Sequence, residues 1–194
     1  MIIEAFILSV LVGFARRGSL RNLGQIPVRH LYLFVLSLVV FVGMYALAGT
    51  SGGGASMQYV RAANIIQYAI LLAAIGLNRH IRGMWLVGAG TFLNFLAVAA
   101  NGGVMPTSAT ALRTVGMTEM LSPDRTAQFV RHVIMAPEAR LKLISNLIPV
   151  PGLGFVLPQV VSIGDIVIAV ALFVIIQLYM CGPATDVREQ AARE

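Results

Sequence analysis

The stretch QVVSIGDIVIAVALFVIIQLYM, residues 159–180, decides the fold class of this chain. From Ile166 onward it is almost continuously apolar, and it is long enough for a helix that crosses a bilayer, which needs about 20 residues. Asp165 stands at the head of this apolar run, where an ionised carboxylate is costly unless another group compensates for its burial. The stretch therefore predicts a membrane span and raises the question of what holds Asp165.

The composition of the whole chain agrees with a membrane protein. Of its 194 residues, 58% are hydrophobic and 11% are charged, whereas soluble domains carry about 25% charged residues. We therefore predict an all-α, polytopic transmembrane helical bundle that forms a single integral membrane domain over residues 1–194. It has about five spans, or four if the short first segment does not cross. The four apolar segments before the last one are Ile2–Ala15, Leu31–Gly49, Val60–Leu77 and Met84–Ala100.

The loops between these segments predict the orientation of the chain. Residues 16–30 and 78–83 are rich in arginine and histidine, whereas residues 50–57 carry no charge. Because basic loops stay on the cytoplasmic side, we expect the N-terminus outside and the tail, residues 182–194, in the cytoplasm. The net charge of +6 is then explained by basic loops that face anionic lipid. The sequence has no basic patch with interleaved aromatic residues, so we do not expect it to bind nucleic acid.

Residues 101–159 form a long insertion before the last span, which this orientation places on the extracytoplasmic side. Ser122–Met135 and Pro137–Ile148 each show an apolar stripe at helical spacing, which predicts two short amphipathic helices on the membrane surface. The run Ile148–Pro158 is apolar but too rich in proline and glycine for one regular helix. We expect it to re-enter toward the last span.

Asp165 is the sharpest candidate for chemistry, and two interpretations compete. As a functional group, it is an acid or base in a polar pocket; as a capping group, it works with Ser162 to satisfy the free N–H groups of the last helix. The turn Asn101, Gly102, Gly103 ends the fourth segment on the same side. It is either a helix stop or the backbone of a pocket opposite Asp165.

Other polar residues have weaker claims. Asn64, Gln67 and Asn94 lie within predicted spans, where hydrogen bonds between helices are their expected role and a binding pocket the alternative. His132 is the one histidine predicted outside; it is a candidate general base or a solvated surface residue. No two histidines have the spacing of metal ligands, so we expect no metal site and no cofactor.

Three motifs together resemble an uncharacterised family of small bacterial membrane proteins, a domain of unknown function. They are R-G-S-L-x-N-L at Arg17–Leu23, N-G-G-x-M-P at Asn101–Pro106 and S-I-G-D at Ser162–Asp165. The resemblance implies a bacterial inner-membrane location and brings no activity. The last helix is also faintly similar to that of lipoprotein signal peptidases, but the second aspartate motif of that family is absent, so peptidase activity is not carried over.

Two functions follow as hypotheses. The first is a helical bundle that binds membrane lipids or another membrane protein, because few ionisable groups lie in the spans. The second is a membrane-embedded enzyme that acts on a lipid or lipid-linked substrate at the outer leaflet, with Asp165 as acid or base. A cavity that Asp165 shares with Asn101 or His132 would favour the enzyme.

Overall fold

The computed structural model describes residues 1–50, 54–121, 131–152 and 156–182, and the chain is mostly helical. Three-residue strands, a short helix and single 3₁₀ turns connect the last two long helices. In chain order, the elements are α1 Ile2–Ala15, α2 Leu20–Leu23, α3 Leu31–Thr50, α4 Gly54–Leu77, α5 Met84–Ala100, β1 Met105–Thr107, α6 Ala109–Thr114, β2 His132–Ile134, β3 Ile148–Val150, β4 Gln159–Val161 and α7 Ile163–Cys181.

The five predicted apolar segments are helices, and α1 and α5 have the predicted bounds. Two helical stretches, Met57–Leu77 and Ile163–Cys181, are long and apolar enough to cross a membrane; Ile2–Ala15, Leu31–Met44 and Met84–Ala100 are shorter apolar helices. These lengths are consistent with membrane association.

The long helices pack side by side in the order α3, α4, α5, α7, α1. Neighbours from α3 to α7 are antiparallel: Ser37 of α3 meets Gln67 of α4, and Gly83 before α5 meets Ile175 of α7. In contrast, α1 runs parallel to α7, because Ser9 bonds Gln177 and Gly13 meets Met180. Among the described residues, no comparable contact joins α1 to α3, so the helices form an arc rather than a closed ring.

The basic loops converge at one end of this arc. The side chain of Asn78 accepts from the backbone N–H of Arg29 and donates to its carbonyl, both at 2.7 Å. The hydroxyl of Tyr179 accepts from the backbone N–H of Arg82 at 3.1 Å. At the other end, the N-terminal ammonium contacts Gln159, the first residue of β4.

The R-G-S-L-x-N-L motif caps the C-terminus of α7. The backbone N–H of Ser19 donates to the carbonyl of Met180 at 2.9 Å, and the side chain of Asn22 donates to the same oxygen at 3.4 Å. A side chain on Gly18 would approach that carbonyl to 2.8 Å. The motif therefore has a structural role, because it satisfies a carbonyl that has no partner inside the helix.

The prediction of two amphipathic helices in the insertion is wrong where the structure describes it. Residues 122–130 lie outside the described residues, and His132–Ile134 is a strand that pairs in parallel with β1. Pro137–Ile148 contains a 3₁₀ turn at Lys142–Ile144 and no longer helix. The strands β3 and β4 then pair antiparallel. Pairing between distant segments outweighs the local helical pattern, so the chain is not all-α.

The helices α5 and α7 approach each other closely at Gly90 and Gly164. A Cβ atom added to Gly164 would lie 2.6 Å from the carbonyl oxygen of Gly90 and would overlap the side chain of Asn94. Small residues of this kind let helix backbones approach each other closely in membranes.

We therefore expect Gly164→Ala to lower the free energy of unfolding by about 1–3 kcal/mol, because the added methyl group overpacks this contact. Thermal unfolding of the purified protein measures the change. Gly43→Ala in α3 is the matched control, since its new Cβ would meet nothing within 4 Å; it should be neutral or slightly stabilising. Equal melting temperatures for the two variants would contradict the close packing.

Candidate functional site

A cavity of about 780 Å³ lies on the inner side of the arc, under the insertion. Its apolar walls include Phe34 and Leu38 of α3, Leu71 of α4 and Ile168 of α7. Polar side chains from several parts of the chain also line it, among them Glu4, Asn64, Gln67, Asn94, Arg131, His132, Asn146 and Asp165. The cavity is therefore amphiphilic, and its volume lies in the range of ordinary ligand sites.

Asp165 is held at three points. Its Oδ2 accepts from the backbone N–H of Ser162 at 3.0 Å, while the Ser162 hydroxyl accepts from the backbone N–H of Asp165 at 2.9 Å. This reciprocal pair is a capping box. Across the helix interface, Asn94 donates from Nδ2 to Asp165 Oδ1 at 2.8 Å and accepts at Oδ1 from the Ser162 hydroxyl at 2.7 Å.

The capping interpretation of Asp165 is thus confirmed, and the same carboxylate also lines the cavity. Asp165 does not lie at the same level as the turn that ends α5, but deeper in the bundle. Asn94, its partner, lies seven residues before Asn101 at the end of α5, and each helical residue rises about 1.5 Å. The helix α7 therefore begins about 10 Å below the end of α5, which leaves room above Asp165 for the insertion.

Arg131, the residue just before β2, lines the cavity. Its Nε donates to Asn64 Oδ1 at 2.9 Å and its Nη2 donates to Gln67 Oε1 at 3.3 Å. The guanidinium carbon lies 4.8 Å from the ring centre of Phe41 and 5.4 Å from that of Tyr68, a cation–π arrangement.

Among the described residues, the positive charge of Arg131 has no close counter-charge. Within the described ranges, no carboxylate lies within 4.0 Å of it. A guanidinium has five N–H donors, and Asn64 and Gln67 take two of them. The two amides are themselves fixed, because Asn64 donates to the carbonyl of Gly103 at 2.8 Å and Gln67 donates to the hydroxyl of Ser37 at 3.0 Å.

His132 and Asn146 form a second polar group beside Arg131. Nδ2 of Asn146 lies 3.3 Å from Nδ1 of His132, and the hydroxyl of Thr107 lies 3.5 Å from both atoms. Oδ1 of Asn146 is buried and has no hydrogen-bond partner. The pKa of His132 falls from 6.5 to about 4, chiefly because of burial and then because of the positive charge of Arg131. This histidine is therefore neutral at pH 7.

The structure brings together some of the predicted site residues and not others. Asp165, His132, Asn64 and Asn94 line one cavity, whereas Ser162 is buried behind Asp165. The remaining three candidates, Asn101, Gly102 and Gly103, lie outside the set of described residues that line the cavity.

The turn after α5 has a structural explanation instead. Asn101 donates to the carbonyl of Ala97 at 2.7 Å and exchanges two hydrogen bonds with the backbone of Arg140, both at 2.9 Å. Gly102 and Gly103 have positive φ angles of 65° and 89°. A side chain on Gly103 would overlap the backbone of Arg61. The helix-stop interpretation of this turn is confirmed, and the turn also anchors the insertion.

Sequence reasoning missed the residues that give the cavity its charge pattern. It singled out neither Arg131, which lies within the predicted surface helix Ser122–Met135, nor Asn146. The available signal was the pair Asn64 and Gln67, two buried amides on one face of α4, but the sequence does not indicate an arginine as their partner. Within the part of the chain that the structure describes, no three His, Cys, Asp or Glu side chains gather to hold a metal ion.

The lowered pKa of His132 predicts a pH dependence of stability. An unfolded histidine binds a proton below about pH 6.5, but the folded one does so only near pH 4, so the unfolded state gains protons first as the pH falls. Stability should therefore decrease from pH 6.5 to pH 4. In thermal unfolding across this range, His132→Gln should lose less stability than the wild type. Identical slopes would show that His132 is not buried in its neutral form.

The comparison with curated proteins found no match, and neither did the comparison with solved structures. The model of a family of unknown function, DUF5317, matches residues 25–177. The motifs at Asn101–Pro106 and Ser162–Asp165 lie within the matched residues, and Arg17–Leu23 lies just before them. The match confirms the expectation of an uncharacterised family: this chain belongs to the DUF5317 family of unknown function.

Proposed function

We propose that this chain is a bacterial inner-membrane protein that binds a membrane lipid in the cavity between its helices. In this proposal α1, α3, α4, α5 and α7 cross the bilayer, with the N-terminus outside and the C-terminus in the cytoplasm. The insertion covers the outer end, and the converging arginine-rich loops lie at the cytoplasmic end, as the distribution of positive charge favours.

The outer faces of the helices support a lipid environment. Ile3 and Leu11 of α1 are 72% and 56% exposed, and Val39 and Val42 of α3 are 59% and 56% exposed. Contiguous apolar surface of this extent is rare on a soluble monomer. In a bilayer, the same side chains contact lipid chains and no surface is left unfavourably in water.

The observation that carries the proposal is the gap between α1 and α3. The cavity is lined by Ile2 and Ile3 on one side of this gap and by Phe34 and Leu38 on the other. Ile3 and Leu38 are also among the exposed apolar residues, so they join the cavity to the outer surface. A lateral opening with apolar rims and a polar interior fits an amphiphile that enters from the bilayer.

We expect Leu38→Trp to reduce lipid binding several-fold, because the indole ring fills the opening between α1 and α3. Binding is measured as the lipid retained by the detergent-purified protein in native mass spectrometry. The matched control is Leu36→Trp, which introduces the same ring two residues away on α3, at a position that is 44% exposed and does not line the cavity.

Equal lipid retention by the two variants would contradict lateral entry at this gap. Purification of the wild type with a stoichiometric membrane protein and without lipid would replace the lipid by a protein partner, whose helix would then occupy the gap between α1 and α3.

The second candidate function is an enzyme that acts on a lipid or lipid-linked substrate at the outer leaflet. It is favoured by one observation: Asp165 and His132 line the same cavity. The carboxylate of Asp165 accepts two hydrogen bonds and has further lone pairs to accept a proton from a substrate. His132, neutral at pH 7, is a base or hydrogen-bonding group in the same space.

If Asp165 acts as an acid or base, Asp165→Asn should abolish a phenotype that deletion of the gene produces. Asparagine retains one oxygen for the capping box but replaces the other acceptor by an NH₂ group, so the melting temperature should also fall, and a control that disturbs the same hydrogen bonds is needed. Ser162→Ala is the control: it removes the capping hydroxyl at a cost of about 1 kcal/mol and keeps the carboxylate, so it should preserve the phenotype. A normal phenotype for Asp165→Asn would remove the enzyme hypothesis and leave lipid binding in place.

A further inference from the structure

The guanidinium of Arg131 lines the cavity and is a candidate binding group for an anion. It lies among the helices, and the described part of the chain brings no carboxylate within 4.0 Å of it. Asn64 and Gln67 hold one edge of the guanidinium, and Phe41 and Tyr68 lie against it. Arg131 is partly buried, where a charge without a counter-charge is unfavourable, and the N–H groups that Asn64 and Gln67 do not take have the geometry that binds the oxygens of a phosphate.

Asn146 provides a second group in the same cavity whose hydrogen bonding is incomplete. Its side chain is only 5% exposed, and its amide nitrogen is directed at Thr107 and His132. Its carbonyl oxygen, Oδ1, is buried without a donor. Buried polar atoms in folded proteins are nearly always hydrogen-bonded. A ligand that brings an N–H or O–H group to this oxygen would satisfy it.

Asp165 limits the charge of such a ligand. Its carboxylate lines the cavity together with Arg131, so a ligand with several negative charges would be repelled. A ligand with one phosphate diester and a neighbouring hydroxyl or ammonium group is complementary both to the guanidinium of Arg131 and to the acceptor oxygens of Asn146 and Asp165. The hydroxyl or ammonium group then donates to Asn146 or Asp165, while the phosphate faces Arg131.

We propose that Arg131 and Asn146 form a head-group site for a membrane phospholipid whose phosphate is followed by a hydrogen-bond donor. Phosphatidylglycerol carries such a donor as a hydroxyl group, and phosphatidylethanolamine carries it as an ammonium group. Phosphatidylcholine has the same phosphate but no N–H or O–H group in its head. The inference rests on the proposed lipid binding, and it names which lipids the cavity selects.

The test uses the full-length protein in detergent and native mass spectrometry. Phosphatidylglycerol, phosphatidylethanolamine and phosphatidylcholine with identical acyl chains are added separately. We expect the first two to bind about tenfold more tightly than phosphatidylcholine, the discrimination expected when a buried acceptor is satisfied by one lipid and not by another.

The two residues should fail in different ways. Arg131→Gln should weaken all three phospholipids about tenfold or more, because each carries the phosphate. Arg131→Lys, which keeps the charge but loses the planar fork, should give a smaller loss. Arg113→Gln makes the same change at an exposed position of α6 in the same insertion and should leave binding unchanged.

Asn146→Ala should remove the preference over phosphatidylcholine without weakening phosphatidylcholine itself. Its control is Thr107→Val, which takes away a partner of the Asn146 amide nitrogen but leaves the carbonyl oxygen in place. Retained preference in Thr107→Val, with a melting temperature close to that of Asn146→Ala, assigns the effect to the carbonyl oxygen. Equal loss of preference in both variants would overturn the role of Asn146.

The outcomes separate this inference from the proposed function. Failure of the wild type to retain any phospholipid would overturn lipid binding as a whole. Equal retention of the three lipids, or undiminished binding by Arg131→Gln, would overturn only the head-group site. A final arm adds sn-glycerol 3-phosphate: if this soluble phosphate displaces the phospholipid at equal concentration, the site serves a soluble phosphate ester and its membrane source is overturned.

Discussion

The hydrogen bonds between Asn94 and the capping box of α7 are the contact on which the rest of the structure depends. One amide satisfies both the hydroxyl of Ser162 and the carboxylate of Asp165, and it fixes the start of α7 against the middle of α5. The glycines at positions 90 and 164 allow the two backbones to approach closely at the same level. Because α7 begins below the level at which α5 ends, space is left above the first residues of α7, and the insertion fills that space.

The placement of charge around the cavity follows from this arrangement. Asp165 is tied to α5 and α7, whereas Arg131 is tied to two amides of α4, so the opposite charges are held on different walls instead of neutralising each other in direct contact. Both charged side chains are held in place by hydrogen bonds to neutral groups, and they do not form an ion pair with each other. A site with separated charges selects a ligand that carries complementary charge of its own.

Much of the helical framework is predictable from the sequence, because the length and ends of an apolar run are local properties. The bounds of α1 and α5 and the S-x-x-D capping box of α7 follow in this way. The insertion is not predictable from local patterns. The helical periodicity around Arg131 and His132 competes with a strand pairing to Met105–Thr107, whose register depends on contacts between distant segments. Asn64 and Gln67 are recognisable as buried polar residues of a span, but their partner is an arginine of the insertion.

The shortness of α1 has a consequence for the bilayer itself. Its 14 residues rise over about 21 Å, whereas the hydrocarbon core of a bilayer is about 30 Å thick. If α1 crosses the membrane, the lipid around it must thin to match the helix, since a short hydrophobic segment is accommodated in this way. The thinned region would lie next to the gap between α1 and α3. There a lipid head group has a shorter distance to travel from the interface into the protein, so hydrophobic mismatch would lower the barrier to entry at the place where the helices part.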